Sequence, residues 1–97
     1  MPVYLIIDIT VTDPDVYGEF VAQVPGVVEQ YGGRYLARSA EASTMVGDWR
    51  PEWIVLIEFE SIEQVQELFA SPEYQALVPL REQSATTRAI IVEGRQP

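Results

Sequence analysis

The sequence predicts an α+β fold, with one four-stranded antiparallel sheet and helices on one of its faces. Three observations carry this. Segments 3–11, 33–40, 52–60 and 86–93 have the alternating, β-rich character of strands. Two helix-opening signatures, Asp13-Pro14 and Ser61 to Gln64, precede apolar residues at helical spacing. The resulting order is β-α-β-β-α-β, and 97 residues suffice for one domain, 1–97.

In the first strand, Val3, Leu5, Ile7, Ile9 and Val11 point one way, and Tyr4, Ile6, Asp8 and Thr10 the other. Both sets begin apolar, as in a central strand with two covered faces. Asp13 caps the next helix and Pro14 takes its first position. Tyr17, Phe20, Val21, Val24, Val28 and Tyr31 form its stripe. Pro25-Gly26 is expected to kink or split it, and Gly32-Gly33 to end it.

The second strand, 33–40, sets Tyr35 and Ala37 against Arg34, Leu36 and Arg38. A long connection, 41–51, leads to the third, 52–60. There Trp53, Val55, Ile57 and Phe59 oppose Ile54, Leu56 and Glu58. Ser61 and Gln64 make a capping box for a helix that buries Ile62, Val65, Leu68 and Phe69. Ser71-Pro72 stops it and caps a short helix containing Tyr74, Leu77, Val78 and Arg81, which Pro79 is expected to distort. Strand 86–93 and a tail, 94–97, finish the chain. This is the ferredoxin-like pattern, with expected sheet order 4-1-3-2.

Composition excludes much chemistry. The net charge of −9 lacks the basic footprint that nucleic acid or an anionic membrane needs. No apolar run approaches the roughly 20 residues of a membrane span. Met1-Pro2-Val3 leads directly into a strand rather than a signal peptide, so a cytoplasmic location is expected. With no Cys, His or Lys, a thiolate nucleophile, a side-chain Schiff base and imidazole chemistry are all impossible. No spacing suggests a metal site. Proton chemistry would fall to Asp, Glu, Tyr or Ser/Thr.

The strand parity leaves a second sheet face bearing Tyr4, Ile6, Ile54, Leu56 and Leu36, joined by Arg88, Ile90 and Val92. So broad an apolar face predicts a homodimer with packed sheets. Asp8, Glu58, Arg34, Arg38 and Arg88 share that face. One reading is a set of interfacial ion pairs; the other is a pocket whose carboxylates titrate above their ordinary values.

Gly32-Gly33-Arg34-Tyr35-Leu36, Gly47-Asp48-Trp49-Arg50-Pro51, Ile57-Glu58-Phe59, Ser71-Pro72-Glu73-Tyr74-Gln75 and the Arg88-to-Gly94 ending follow one another over nearly the whole chain. In these blocks the sequence resembles the family called domain of unknown function 1330. The resemblance implies a dimeric α+β barrel. Relatives of that fold include cofactor-independent monooxygenases, isomerases, haem enzymes and stress-response binding domains. It supplies no catalytic residues, and haem binding in such relatives rests on His, which this chain lacks; no cofactor is expected.

The candidate site residues follow. Asp8, Glu58 and Tyr74 are candidates for moving a proton. Arg34, Arg50, Arg81 and Arg88 are candidates for holding an anion, with Trp49 lining a ligand mouth. Against this, Trp49 can cover a sheet end while Asp48 pairs with Arg50, and Arg81 can pair with Glu73 or Glu82. Tyr17 and Tyr31 read as packing. Three functions stay open: a cofactor-independent enzyme acting on a small aromatic or carboxylated metabolite, a ligand-binding or stress-related module, and a structural dimerisation domain.

Overall fold

The computed structural model describes residues 1–95. Its elements are β1 (Val3–Val11), α1 (Pro14–Gln30), β2 (Arg34–Ser39), β3 (Trp53–Phe59), α2 (Ile62–Ala70), α3 (Pro72–Ser84) and β4 (Ala85–Glu93). The strands form one antiparallel sheet in the order β2-β3-β1-β4, the expected order read from its other edge. The tail expected over 94–97 extends to Gln96 and Pro97, which lie outside the described residues.

The inner face of the sheet carries the core. Val3, Leu5 and Ile9 of β1 and Val55, Ile57 and Phe59 of β3 are buried with Phe20, Val24 and Val28 of α1, Val65 and Leu68 of α2, and Tyr74 and Leu77 of α3. The helices bury apolar stripes on this face, which supplies the main driving force for folding.

Local chemistry fixes the helix ends. The Val16 N–H donates to Asp13 Oδ1 at 3.2 Å, and Pro14 needs no partner for a missing N–H. At α2, the Gln64 N–H donates to Ser61 Oγ at 3.3 Å, while Gln64 Oε1 accepts from the Glu60 N–H at 2.9 Å. The return bond thus goes to Glu60, one residue before the cap. Ser71 serves two helices: its hydroxyl donates to the Leu68 carbonyl at 2.7 Å and accepts from the Tyr74 N–H at 3.1 Å.

Two glycines are required after α1. Gly32 has φ +90°, which disfavours any residue with a side chain. At Gly33 a Cβ would lie 2.5 Å from Val28 Cγ1 and 2.8 Å from the Phe59 ring, so only hydrogen fits where β2 leaves the helix.

Three expectations are corrected. Pro25 does not split α1, which is one helix from Pro14 to Gln30. The proline removes one backbone hydrogen bond, but Val24 and Val28 on either side are buried against the sheet and hold the segment in place. The helix after Ser71 is not short, because α3 continues through Pro79 for 13 residues to Ser84. It then enters β4 at Ala85 with no loop between. The Ser84 carbonyl accepts from the Thr12 and Asp13 N–H groups at 2.7 and 3.1 Å, fastening this junction to the turn after β1.

The third correction concerns β2. A bulge interrupts its pairing with β3 between Tyr35 and Ala37. Arg34 faces Glu58 and Tyr35 faces Ile57, but after the extra residue Ala37 faces Leu56 and Arg38 faces Val55. A single inserted residue reverses the parity of everything beyond it. Ala37 therefore moves to the outer face and Arg38 to the inner, the opposite of the simple alternation.

Candidate functional site

The expected site residues divide between the two faces of the sheet. On the outer face, Asp8 and Arg88 are cross-strand partners, and Arg88 Nη2 donates to Asp8 Oδ2 at 2.6 Å. Trp49 crosses from the β2–β3 connection to donate its indole N–H to the same oxygen at 3.0 Å. Asp8, Trp49, Arg50 and Arg88 edge an open cleft of about 910 Å3 floored by Ile6 and Ile90. Arg34 and Glu58, also cross-strand partners, form a second ion pair on this face.

These two ion pairs do not converge. Asp8 lies opposite Ile54, and Glu58 opposite Tyr4. Four residues of strand separate the two positions, roughly 13 Å at ~3.3 Å per residue. Each carboxylate is occupied by its own arginine, so the acids are not arranged to share a substrate.

The titration of Asp8 runs against the pocket reading. The Arg88 hydrogen bond, and then that of Trp49, hold its carboxyl below the usual range, outweighing the small opposing effect of burial. The expectation of a raised carboxylate pKa therefore fails at Asp8. A group that holds its charge so readily is a poor base near neutral pH. The expected Asp48–Arg50 pair is absent from the ion pairs of the described residues.

Tyr74 and Arg81 lie on the inner face. Arg81 Nη1 donates to the Tyr74 hydroxyl at 2.6 Å, with the guanidinium 5.9 Å from the Tyr74 ring centre. Helix α3 sets both: they are seven residues, two helical turns, apart. Neither expected carboxylate partner takes Arg81, and Glu73 instead accepts from the Tyr31 hydroxyl and Gln30 Nε2. Phe69 meets the Tyr74 ring edge-on at 4.9 Å and fixes its plane.

Tyr74 and Arg81 border a cavity of about 60 Å3 between sheet and helices. Its walls are mostly apolar, and its polar lining comes from Tyr17, Tyr35, Arg38, Tyr74, Arg81 and Thr87. The Thr87 hydroxyl is buried with no hydrogen-bond partner among the described residues. Burial pushes up the Tyr17 and Tyr74 hydroxyls, against the lowering effect of Arg38 and Arg81 respectively, and raises Tyr35 to about 12. All three phenols keep their protons at neutral pH and can donate them in hydrogen bonds.

Four of the cavity's polar residues were missed by the sequence reading. Tyr17 reads as packing on the stripe of α1, Tyr35 shows only the alternation of its strand, and Arg38 falls on the outer face by an alternation that the bulge breaks. Thr87 was legible, since the outward parity of Arg88, Ile90 and Val92 turns it inward among apolar neighbours.

Comparison with known proteins places the architecture. A protein of unknown function from Rhodopseudomonas palustris superposes with TM-score 0.80 at 18% identity, over 99% of this chain and 84% of that one. SnoaB, a cofactor-independent oxygenase from Streptomyces nogalater, gives TM-score 0.72 at 12% identity, over 99% and 95%. A dimeric ferredoxin-like protein of unknown function from Jannaschia gives 0.73 at 12%, over 97% and 100%. At these identities the likeness is one of fold. No curated protein matches the sequence. The family model for the domain of unknown function DUF1330 matches residues 2–95, nearly the full length, and the chain belongs to that family.

Proposed function

We propose that this protein binds a small molecule in the cavity between its sheet and helices, with the Tyr74–Arg81 pair as the polar end of the site. The observation that carries this reading is the buried Thr87 hydroxyl, which lacks a partner among the described residues, in a cavity also lined by Tyr17, Tyr74 and two guanidinium groups. Buried polar groups are normally satisfied, and one left open beside a cavity fits a ligand that completes it.

Binding is favoured over acid–base catalysis by the direction of the shifts. Asp8 moves down and the three tyrosines move up, all away from neutral pH. If the site turns over a small aromatic or carboxylated metabolite, as its structural likeness to a cofactor-independent oxygenase allows, the substrate must bring its own reactivity. Tyr74 and Arg81 would then orient it.

The outer face supports a second, compatible role. Ile90, Leu36 and Val92 are exposed there at 61%, 47% and 41%. A second copy laid on this face would cover them, with the Arg88–Asp8 and Arg34–Glu58 pairs setting its register. The Jannaschia protein of the same fold is also dimeric. Ile90→Asp should then convert a dimer into a folded monomer by sedimentation. A wild type that sediments as a monomer removes this role.

The binding reading is tested by a thermal-shift screen of small polar organic compounds on the wild type and Tyr74→Phe. A ligand at about 100 times its dissociation constant stabilises by roughly 2.7 kcal/mol. A shift reduced in the variant supports the reading; a screen with no shift, or shifts equal in both proteins, overturns it.

A further inference from the structure

We infer that the inner cavity takes a small carboxylic acid, its carboxylate held by Arg38 and Arg81 and its compact apolar body lying against the core. This rests on the reading of the cavity as a ligand site and names the chemical class it selects.

The first support is an imbalance of charge pairing. The chain has 15 acidic residues and 6 basic ones, so carboxylates to neutralise every arginine are plentiful. On the outer face, Arg34 and Arg88 have taken such partners, whereas Arg50, on the connection at the cleft edge, has none among the described residues. Arg38 and Arg81, on the inner face, make no ion pair among the described residues. Glu29 is near enough to act on Tyr35 through space, yet it does not pair with Arg38. Two guanidinium groups without counter-charges therefore border one cavity in a strongly acidic protein.

Stacking explains where these arginines lie but does not occupy their donors. Arg38 sits 5.7 Å from the Tyr35 ring centre and Arg81 5.9 Å from that of Tyr74. A guanidinium has five N–H donors in a planar fork suited to a carboxylate. Arg81 commits one to the Tyr74 hydroxyl, whose own proton then remains free to donate. The Thr87 hydroxyl adds a further donor. A ligand rich in acceptors and bearing negative charge matches this set.

The size of the cavity limits the ligand's body. At about 60 Å3 it is well under the ~150 Å3 of an engineered apolar cavity that admits benzene. Branched short-chain acids suit it better than bulky aromatic ones. The bulge at β2 is what brings the Arg38 charge to this cavity, since an unbroken strand would turn Arg38 to the outer face.

The test uses 15N-labelled protein and amide chemical shifts, which detect millimolar binding. The probes are isobutyrate and isovalerate, each compared with its uncharged amide, on the wild type, Arg38→Gln and Arg81→Gln. The expected result is saturable shifts near Thr87 and Tyr74 with the acids, at least tenfold weaker binding of the amides, and a similar loss in Arg38→Gln. Arg38 is exposed, so that variant should keep a wild-type spectrum even if Arg81→Gln perturbs α3. Amides that bind as well as the acids, or acids that bind Arg38→Gln as well as wild type, overturn the inference but leave a small-molecule site standing. Absence of saturable shifts with acids and amides alike overturns the inference, and the thermal-shift screen then decides whether a small-molecule site stands.

Discussion

The two faces of this sheet handle charge in opposite ways. On the outer face each carboxylate is answered by an arginine directly across the ladder, Asp8 by Arg88 and Glu58 by Arg34. On the inner face two arginines stack on tyrosine rings beside a cavity and form no ion pair among the described residues. Cross-strand pairing satisfies charge locally and sets register. Charge placed at a cavity mouth and left open is suited to something that arrives from outside. The difference separates residues that organise the fold from residues that can recognise a ligand, although both groups are arginines.

The contrast is broken most directly by removing apolar mass. Phe59, only 1% exposed, sits where the inner-face core meets Gly33. Phe59→Ala should cost about 3–5 kcal/mol in chemical denaturation. A much smaller loss would mean that the inner face is not the tightly packed one.

A smaller effect is expected at the link between α2 and α3. Ser71→Ala removes a buried hydroxyl that caps one helix and terminates the other, and should cost about 1–2 kcal/mol. The loss should appear as earlier hydrogen exchange in the first turn of α3. Unchanged exchange there would show that Pro72 alone defines the turn.

The smallest expected effect is electrostatic and depends on pH. Asp8 has a depressed pKa in the folded chain, so its contribution is present above the unfolded value of about 3.9 and fades as pH falls through the lower folded value. Arg88, its partner, is 75% exposed, which limits the pair to about 1 kcal/mol or less. Asp8→Asn should therefore cost no more than that near pH 7, and progressively less as the pH falls through the folded value. A pH-independent loss would assign the effect to the Trp49 contact rather than to charge.

Much of the fold was legible because it rests on local signals. The alternation of β1 places Asp8 and Ile6 outward, and Asp13, Ser61 and Ser71 act as the caps their positions suggest. The candidate site was less legible because it depends on events with no local signature. A one-residue bulge beside Leu36 decides which way Arg38 points. The Trp49–Asp8 contact joins residues 41 apart in sequence. Pro25 and Pro79 look like breaks in the sequence, yet both lie inside helices whose neighbouring apolar residues pack on the sheet.

The join between Ser84 and Ala85 has a geometric meaning. The helix becomes a strand without a loop, so the directions of α3 and β4 are set by the backbone of one residue step. The helical arm carries Tyr74 and Arg81, and the extended arm carries Thr87 toward the cavity and Arg88 toward the opposite surface. The bonds from Thr12 and Asp13 to the Ser84 carbonyl fall at that step. The residues that line the cavity and the residue that pairs with Asp8 thus lie on one uninterrupted stretch of regular backbone, tied at its middle to the turn after β1.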